Sequence, residues 1–247
     1  MRMGWMPIWA MLALGCNDAG APACFMRAGE AIEIAEELDN APEVLKFYGH
    51  LDIEFEATDR PGIELHWAGP ENVLHHRWTE WDGSTLNVGH EDRCQWMRDL
   101  GEQVELRIRC ADVPEFVLHG QGTFDLSLVN PESSVVLDAY AHAGYLSLDC
   151  DVDSLTVRLH AGASVAEATG DVNTLSLFAS GLSSLDAGGV QSERAFVNQS
   201  AHPPIYFRAS EYAYVALNSH GNVYGGTNPP LDYLVEEQGG GALIWED

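Results

Sequence analysis

Basic side chains are scarce in this chain: 12 Lys and Arg stand against 38 Asp and Glu, a formal charge of −26. A surface of that sign repels phosphate backbones and anionic bilayers, so nucleic acid is excluded as an expected partner. Long apolar runs are missing beyond the first few residues, and no later segment reads as a transmembrane helix. Cysteines at C-x-x-C spacing are absent, and with them the common structural zinc site. Also absent are the Ser elbow G-x-S-x-G, the zincin H-E-x-x-H and the phosphate loop G-x-x-x-x-G-K-(S/T). No catalytic motif singles out a reaction, and no cofactor is expected.

What is present begins with MRMGWMPIWAMLALGCND, one Arg followed by a short apolar run from Met3 to Leu14 and then Gly15-Cys16. The run is too short to span a bilayer and fits a secretory signal. Leu12-Ala13-Leu14-Gly15-Cys16 resembles a bacterial lipobox, which makes residues 1–16 the expected signal and Cys16 the expected lipidation site. Ala21-Pro22-Ala23 offers an ordinary cleavage site as the rival. An N-terminal lipid would be the chain's one tie to a membrane, placing it in the bacterial cell envelope, at the outer membrane or cell surface. Four further cysteines, Cys24, Cys94, Cys110 and Cys150, form an even set that in an exported protein suggests disulfides, with three pairings open.

The second half of the chain repeats. Rows of twenty from Glu115, such as EFVLHGQGTFDLSLVNPESS and VVLDAYAHAGYLSLDCDVDS, each hold a β-type run, a small-residue turn, a second β-type run and a polar corner. Phe124, Tyr145, Val165, Leu185, Ile205, Val223 and Leu243 lead the second run of successive rows, and Val117, Leu137, Val157, Leu177 and Val197 recur in the first. Alternation puts every second side chain on one face, yet no row buries its apolar face alone. Stacking like columns on like solves that problem. The expected fold is all-β, a single-stranded parallel β-helix of the right-handed kind, with coils of about twenty residues. Residues 17–45 read as a tether and first short element, 46–114 as less regular N-terminal coils that cap the stack, and 115–247 as the regular solenoid.

The rows and their glycine turns resemble the head GIN domain of putative auto-transporter adhesins. The passages that carry the likeness are Ser219-His220-Gly221-Asn222-Val223-Tyr224-Gly225-Gly226-Thr227-Asn228-Pro229-Pro230, Gln238-Gly239-Gly240-Gly241, Cys94-Gln95-Trp96-Met97-Arg98 and Cys24-Phe25-Met26-Arg27-Ala28-Gly29. The resemblance spans roughly residues 24 to 247 and implies a parallel β-helix, a lipoprotein signal and a role in surface adhesion or binding. It brings no catalytic residues. Because Cys24 and Cys94 both lie in family-like segments, the resemblance favours that pair, with Cys110–Cys150 as the weaker one. The family's Ser-Gly turns are replaced here by His119-Gly120, His142-Ala143-Gly144, His160-Ala161-Gly162 and His220-Gly221.

Those turn histidines, with His202, are the candidate metal ligands, since imidazoles stacked on successive coils suit zinc or copper where they converge. A polar turn residue or an imidazole ladder without metal is the plainer alternative. Asp149, Asp151, Asp153 and Asp171 read as solvated corner carboxylates, because the calcium-binding nonapeptide is missing. His75-His76 with Trp78 and Trp81 reads as the rim of a hydrophobic cap. The expected function is a non-enzymatic envelope or surface protein that binds an unidentified ligand, a glycan or an envelope protein. A polysaccharide lyase or hydrolase on the same scaffold, and a metal-binding envelope protein, are the alternatives.

Overall fold

The computed structural model describes residues 29–91, 104–111, 113 and 115–246. Cys16, Cys24 and Cys94 lie outside the described residues. Within them the chain is almost entirely strand, with one helix of four residues, and 14 strands join in a single open sheet. Alternation makes the strands: β7, Glu105–Cys110, is exposed and buried at every second residue, so Leu106, Ile108 and Cys110 enter the core.

The sheet is mostly a parallel stack. β2, Val44–His50, and β3, Asp52–Ala57, lie beside the long β8, Glu115–Gly181, with Val44 opposite Glu115 and Ile53 opposite Phe124. β8 pairs in parallel with β9, Ser184–Ala201, placing Leu177 opposite Val197. Beyond it come β10, Ile205–Phe207, β11, Tyr212–Leu217, β12, Val223–Gly225, β13, Asp232–Glu237, and β14, Leu243–Trp245. Leu185, Ile205, Val223 and Leu243 are successive partners, as are Val197, Val215 and Val235. Stretches of chain one repeat apart therefore lie as neighbouring rungs, and their inward residues form continuous apolar columns. Each fully buried aliphatic side chain in such a column contributes about 1.5–3 kcal/mol.

The N-terminal part adds antiparallel strands to this stack. β1, Ala31–Leu38, pairs with β4, Ile63–Pro70, which pairs with β7, itself parallel to β3. The short helix α1, Glu71–Leu74, leads to a hairpin of β5, Arg77–Asp82, and β6, Thr85–His90, and β6 lies parallel to β2. Parallel pairing thus already starts at Val44, and β1 lies within residues 17–45, the stretch read as a tether and first short element. Pairing between segments as far apart as Tyr48 and His119 leaves no repeat in the sequence to reveal it.

Two expectations need correction. Tyr145 and Val165 do not lead inward columns: both are exposed, while their neighbours Leu146 and Ala166 are buried and Ala166 sits opposite Leu185. The rung between Gly122 and Gly144 is longer than twenty residues, for Gly144 lies directly on the carbonyl of Gly122, and the register shifts again between Glu167 and Thr169. A slip of one residue exchanges the inward for the outward face.

The second correction concerns Cys110 and Cys150, which are not bonded to each other. β3 lies between Cys110 and the long strand, and two ladder spacings of about 4.8 Å exceed the ~7 Å that a disulfide spans between Cα atoms. Cys110 instead donates its thiol to the carbonyl of Gly62 at 3.3 Å. Burial raises the pKa of the Cys150 thiol to about 12, with Asp149 and Asp151 adding to the shift.

Candidate functional site

One outward face of the stack carries a column of rings. Leu45 and Phe47 point into the core, so Lys46 and Tyr48, which alternate with them, point out, and the same alternation presents His119, Tyr140 and His160 on the following rungs. Parallel pairing in register holds these rings about one ladder spacing apart, and they stack. Tyr48 and His119 lie 5.0 Å apart at 9°, His119 and Tyr140 5.5 Å at 17°, and Tyr140 and His160 4.5 Å at 5°. Trp78 extends the column beyond Tyr48 at 5.5 Å, resting on Gly89, where no side chain fits beneath the indole. Phe178 closes the other end, tilted by 40° against His160 at 5.0 Å. Aromatic contacts of this kind contribute about 0.5–1.5 kcal/mol each beyond the area they bury. The rings therefore cover one another's faces, which leaves their edges as the surface they offer.

Beside the ring column runs a charged one. Asp138, nearly fully buried, accepts two hydrogen bonds from Arg158, Nε to Oδ1 at 2.7 Å and Nη2 to Oδ2 at 2.5 Å, and lies 3.1 Å from His160 Nε2. The forked pair fixes the guanidinium, whose pKa the Asp138 carboxylate raises further, while its side chain stays 43 % exposed. The pKa of His119 is lowered from its ordinary value, first by burial and then by Lys46, which disfavours the charged imidazolium within the stack.

The five candidate histidines do not share one column. His119 and His160 belong to the ring ladder, and His142 points inward, its Nδ1 2.9 Å from Ser164 Oγ and its pKa lowered to about 4 by burial. His202 and His220 stack on each other at 6.4 Å farther along. Among the described residues no three His, Cys, Asp or Glu side chains converge to hold an ion.

The acidic corner also has a structural job: Asp149 accepts from Thr169 Oγ1, Asp151 from the Asp171 amide and Asp153 from Asn173 Nδ2, each joining one rung to the next. His75, His76, Trp78 and Trp81 divide between the end of α1 and β5, and only Trp78 joins the ladder.

A cleft of about 700 Å³ opens across β1, β4, β7 and β3. Its cations are spent: Arg107 binds Glu54 and Arg109 binds Glu56, each at 2.8 Å, while Asp52 accepts from the amide and hydroxyl of Thr123. Tyr48 and Tyr140, the phenols of the ladder, carry no motif. Their signal lies in phase, since His119, Tyr140 and His160 recur about a rung apart, each one residue after a buried Leu or Ala.

An open sheet of stacked parallel strands, with ring columns on its outside, defines an all-β protein that offers surface more than enclosed space. The sequence matches the family model for the putative auto-transporter adhesin, head GIN domain, over residues 41–229, and the chain belongs to that family. Solved structures share the fold at low identity. A putative adhesin from Bacteroides fragilis aligns with a TM-score of 0.74 and 13 % identity, over 87 % of this chain and 97 % of that one. One from Parabacteroides merdae aligns at 0.61 and 12 %, over 90 % and 98 %. A putative lipid binding protein from Parabacteroides distasonis aligns at 0.56 and 15 %, over 87 % and 97 %. No curated protein matches the chain.

Proposed function

We propose that this chain is an exported surface-binding protein, an adhesin in action, wound as a parallel β-helix and tethered to the bacterial envelope through a lipid on Cys16. The observation that carries the reading is the outward ring column from Trp78 to Phe178, a continuous strip of stacked rings along the sheet. Membership in an adhesin family supports it. No helix among the described residues is long and apolar enough to cross a membrane.

Adhesion needs area, rigidity and exposed polar edges, and a stack of backbone ladders supplies all three at low entropic cost on binding. The test uses full-length protein with Cys16→Ala, purified and labelled, on bacterial and host cells and on a glycan array, with product analysis of every ligand held. Saturable binding without turnover is expected, weakened by Tyr140→Ala in a variant of native far-UV circular dichroism. Cleavage of a bound ligand would replace this reading with a carbohydrate-active enzyme.

A further inference from the structure

The ladder-bearing face differs in charge from the rest of the molecule. On the rungs from Tyr48 to Phe178 the outward ionic side chains are Lys46, Glu115, Asp138 and Arg158, two of each sign, against −26 for the whole chain, and Glu80 and Asp82 stand beside Trp78 at the end of the column. Asp138 is moreover buried and neutralised by Arg158. Acidic side chains crowd elsewhere, as at the corner of Asp149, Asp151, Asp153 and Asp171. A polyanion is repelled by the net field and a polycation is drawn to those corners, so the near-neutral strip suits an uncharged ligand.

The strip's shape narrows the class. Its rings recur at 5.0, 5.5 and 4.5 Å along the stack, close to the ladder spacing of about 4.8 Å and comparable to the length of a sugar ring in an extended chain. Tyr140, 42 % exposed, brings a phenol, His119 an imidazole, and Arg158 a fork already fixed by a buried carboxylate that also holds His160 Nε2, so little side-chain entropy remains to be lost on binding. The ring edges add apolar CH surface between these polar points. We infer that this face binds an uncharged, extended polysaccharide lying along the stacking axis, with Tyr140 and Arg158 at the centre of the contact.

The inference rests on the surface-binding reading and names its ligand. It is tested by titrating the full-length Cys16→Ala protein calorimetrically with uncharged oligosaccharides (cello-, xylo- and β-1,3-gluco-oligomers of two to six sugars) beside oligogalacturonate and chitosan oligomers. At least one uncharged series binds, with affinity rising about tenfold or more from the disaccharide to the hexasaccharide and unchanged by added salt. Tyr140→Ala weakens the hexasaccharide about tenfold, in line with losing one aromatic anchor. Tyr140→Leu, which keeps the apolar cover, serves if the alanine variant does not fold. Binding unchanged in a folded Tyr140 variant, preference for a charged oligomer, or no binding of any uncharged series overturns the inference. Cell adhesion that persists in that last case leaves the surface-binding reading standing, whereas loss of both removes both.

Discussion

Gly122 gives the most direct test of the stack. Its φ is +131° and a Cβ added there would lie 1.9 Å from the carbonyl oxygen of Leu51 and 2.7 Å from its carbonyl carbon. The obstacle is backbone of the neighbouring rung, so relief requires the rungs to part where Leu51 N–H donates to the Gln121 carbonyl at 3.1 Å. Gly122→Ala therefore combines two costs: a backbone conformation nearly confined to glycine, about 1–3 kcal/mol, and a disrupted ladder bond with its groups left unsatisfied, about 1–3 kcal/mol. A total of about 4 kcal/mol lowers the thermal midpoint by roughly 8–16 °C in a chain of this size. Gly83→Ala is the control, because Gly83 also has positive φ, +63°, but nothing stands within 4 Å of its added Cβ. It bears only the left-handed penalty of about 1–2 kcal/mol. Differential scanning calorimetry of both variants decides the matter. Equal shifts would refute the claim that close rung-to-rung backbone contact fixes glycine at position 122.

Two further perturbations follow from the buried polar groups. The pKa of His142 is lowered from the ordinary 6.5 to about 4 by burial, so its neutral form stabilises the fold fully above pH 6.5 and that stability, about 3 kcal/mol, is lost as pH falls towards 4. Urea midpoints measured across that window should fall more steeply for the native chain than for His142→Asn. Arg158→Met strips Asp138 of its forked partner and leaves only His160 beside a carboxylate 4 % exposed. The expected loss is about 2 kcal/mol, below that of a fully buried pair because the guanidinium is 43 % exposed. Asp138→Asn combined with Arg158→Met should recover most of it by the same urea measurement.

The inward columns of the later rungs were legible in the sequence because their spacing is regular. Leu185, Ile205, Val223 and Leu243 stand in the positions expected of them, and so do Val157, Leu177 and Val197. Tyr145 and Val165 failed because the corner after Gly122 takes extra residues, a local loop length that alternation alone does not reveal. The ring ladder was half visible: the turn histidines His119 and His160 pointed to metal ligands or to an imidazole ladder without metal, and nothing in their spacing pointed to the phenols stacked with them. Tyr48 was hidden by the long excursion through β3 to β7 that separates it from His119 in sequence, and Trp78 by an antiparallel hairpin outside the repeat. Geometry created by non-local pairing has no periodic trace.

The rung-on-rung pairing has a consequence for how such a chain can change length. Each rung touches only the one before and the one after, as Leu185 with Ile205 and Ile205 with Val223. Copying or excising a whole rung therefore leaves every core column continuous, whereas deleting one residue within a rung turns its apolar side chains to water. Selection can adjust the length of the molecule, and of its ring strip, by whole-unit duplication with no redesign of the interior.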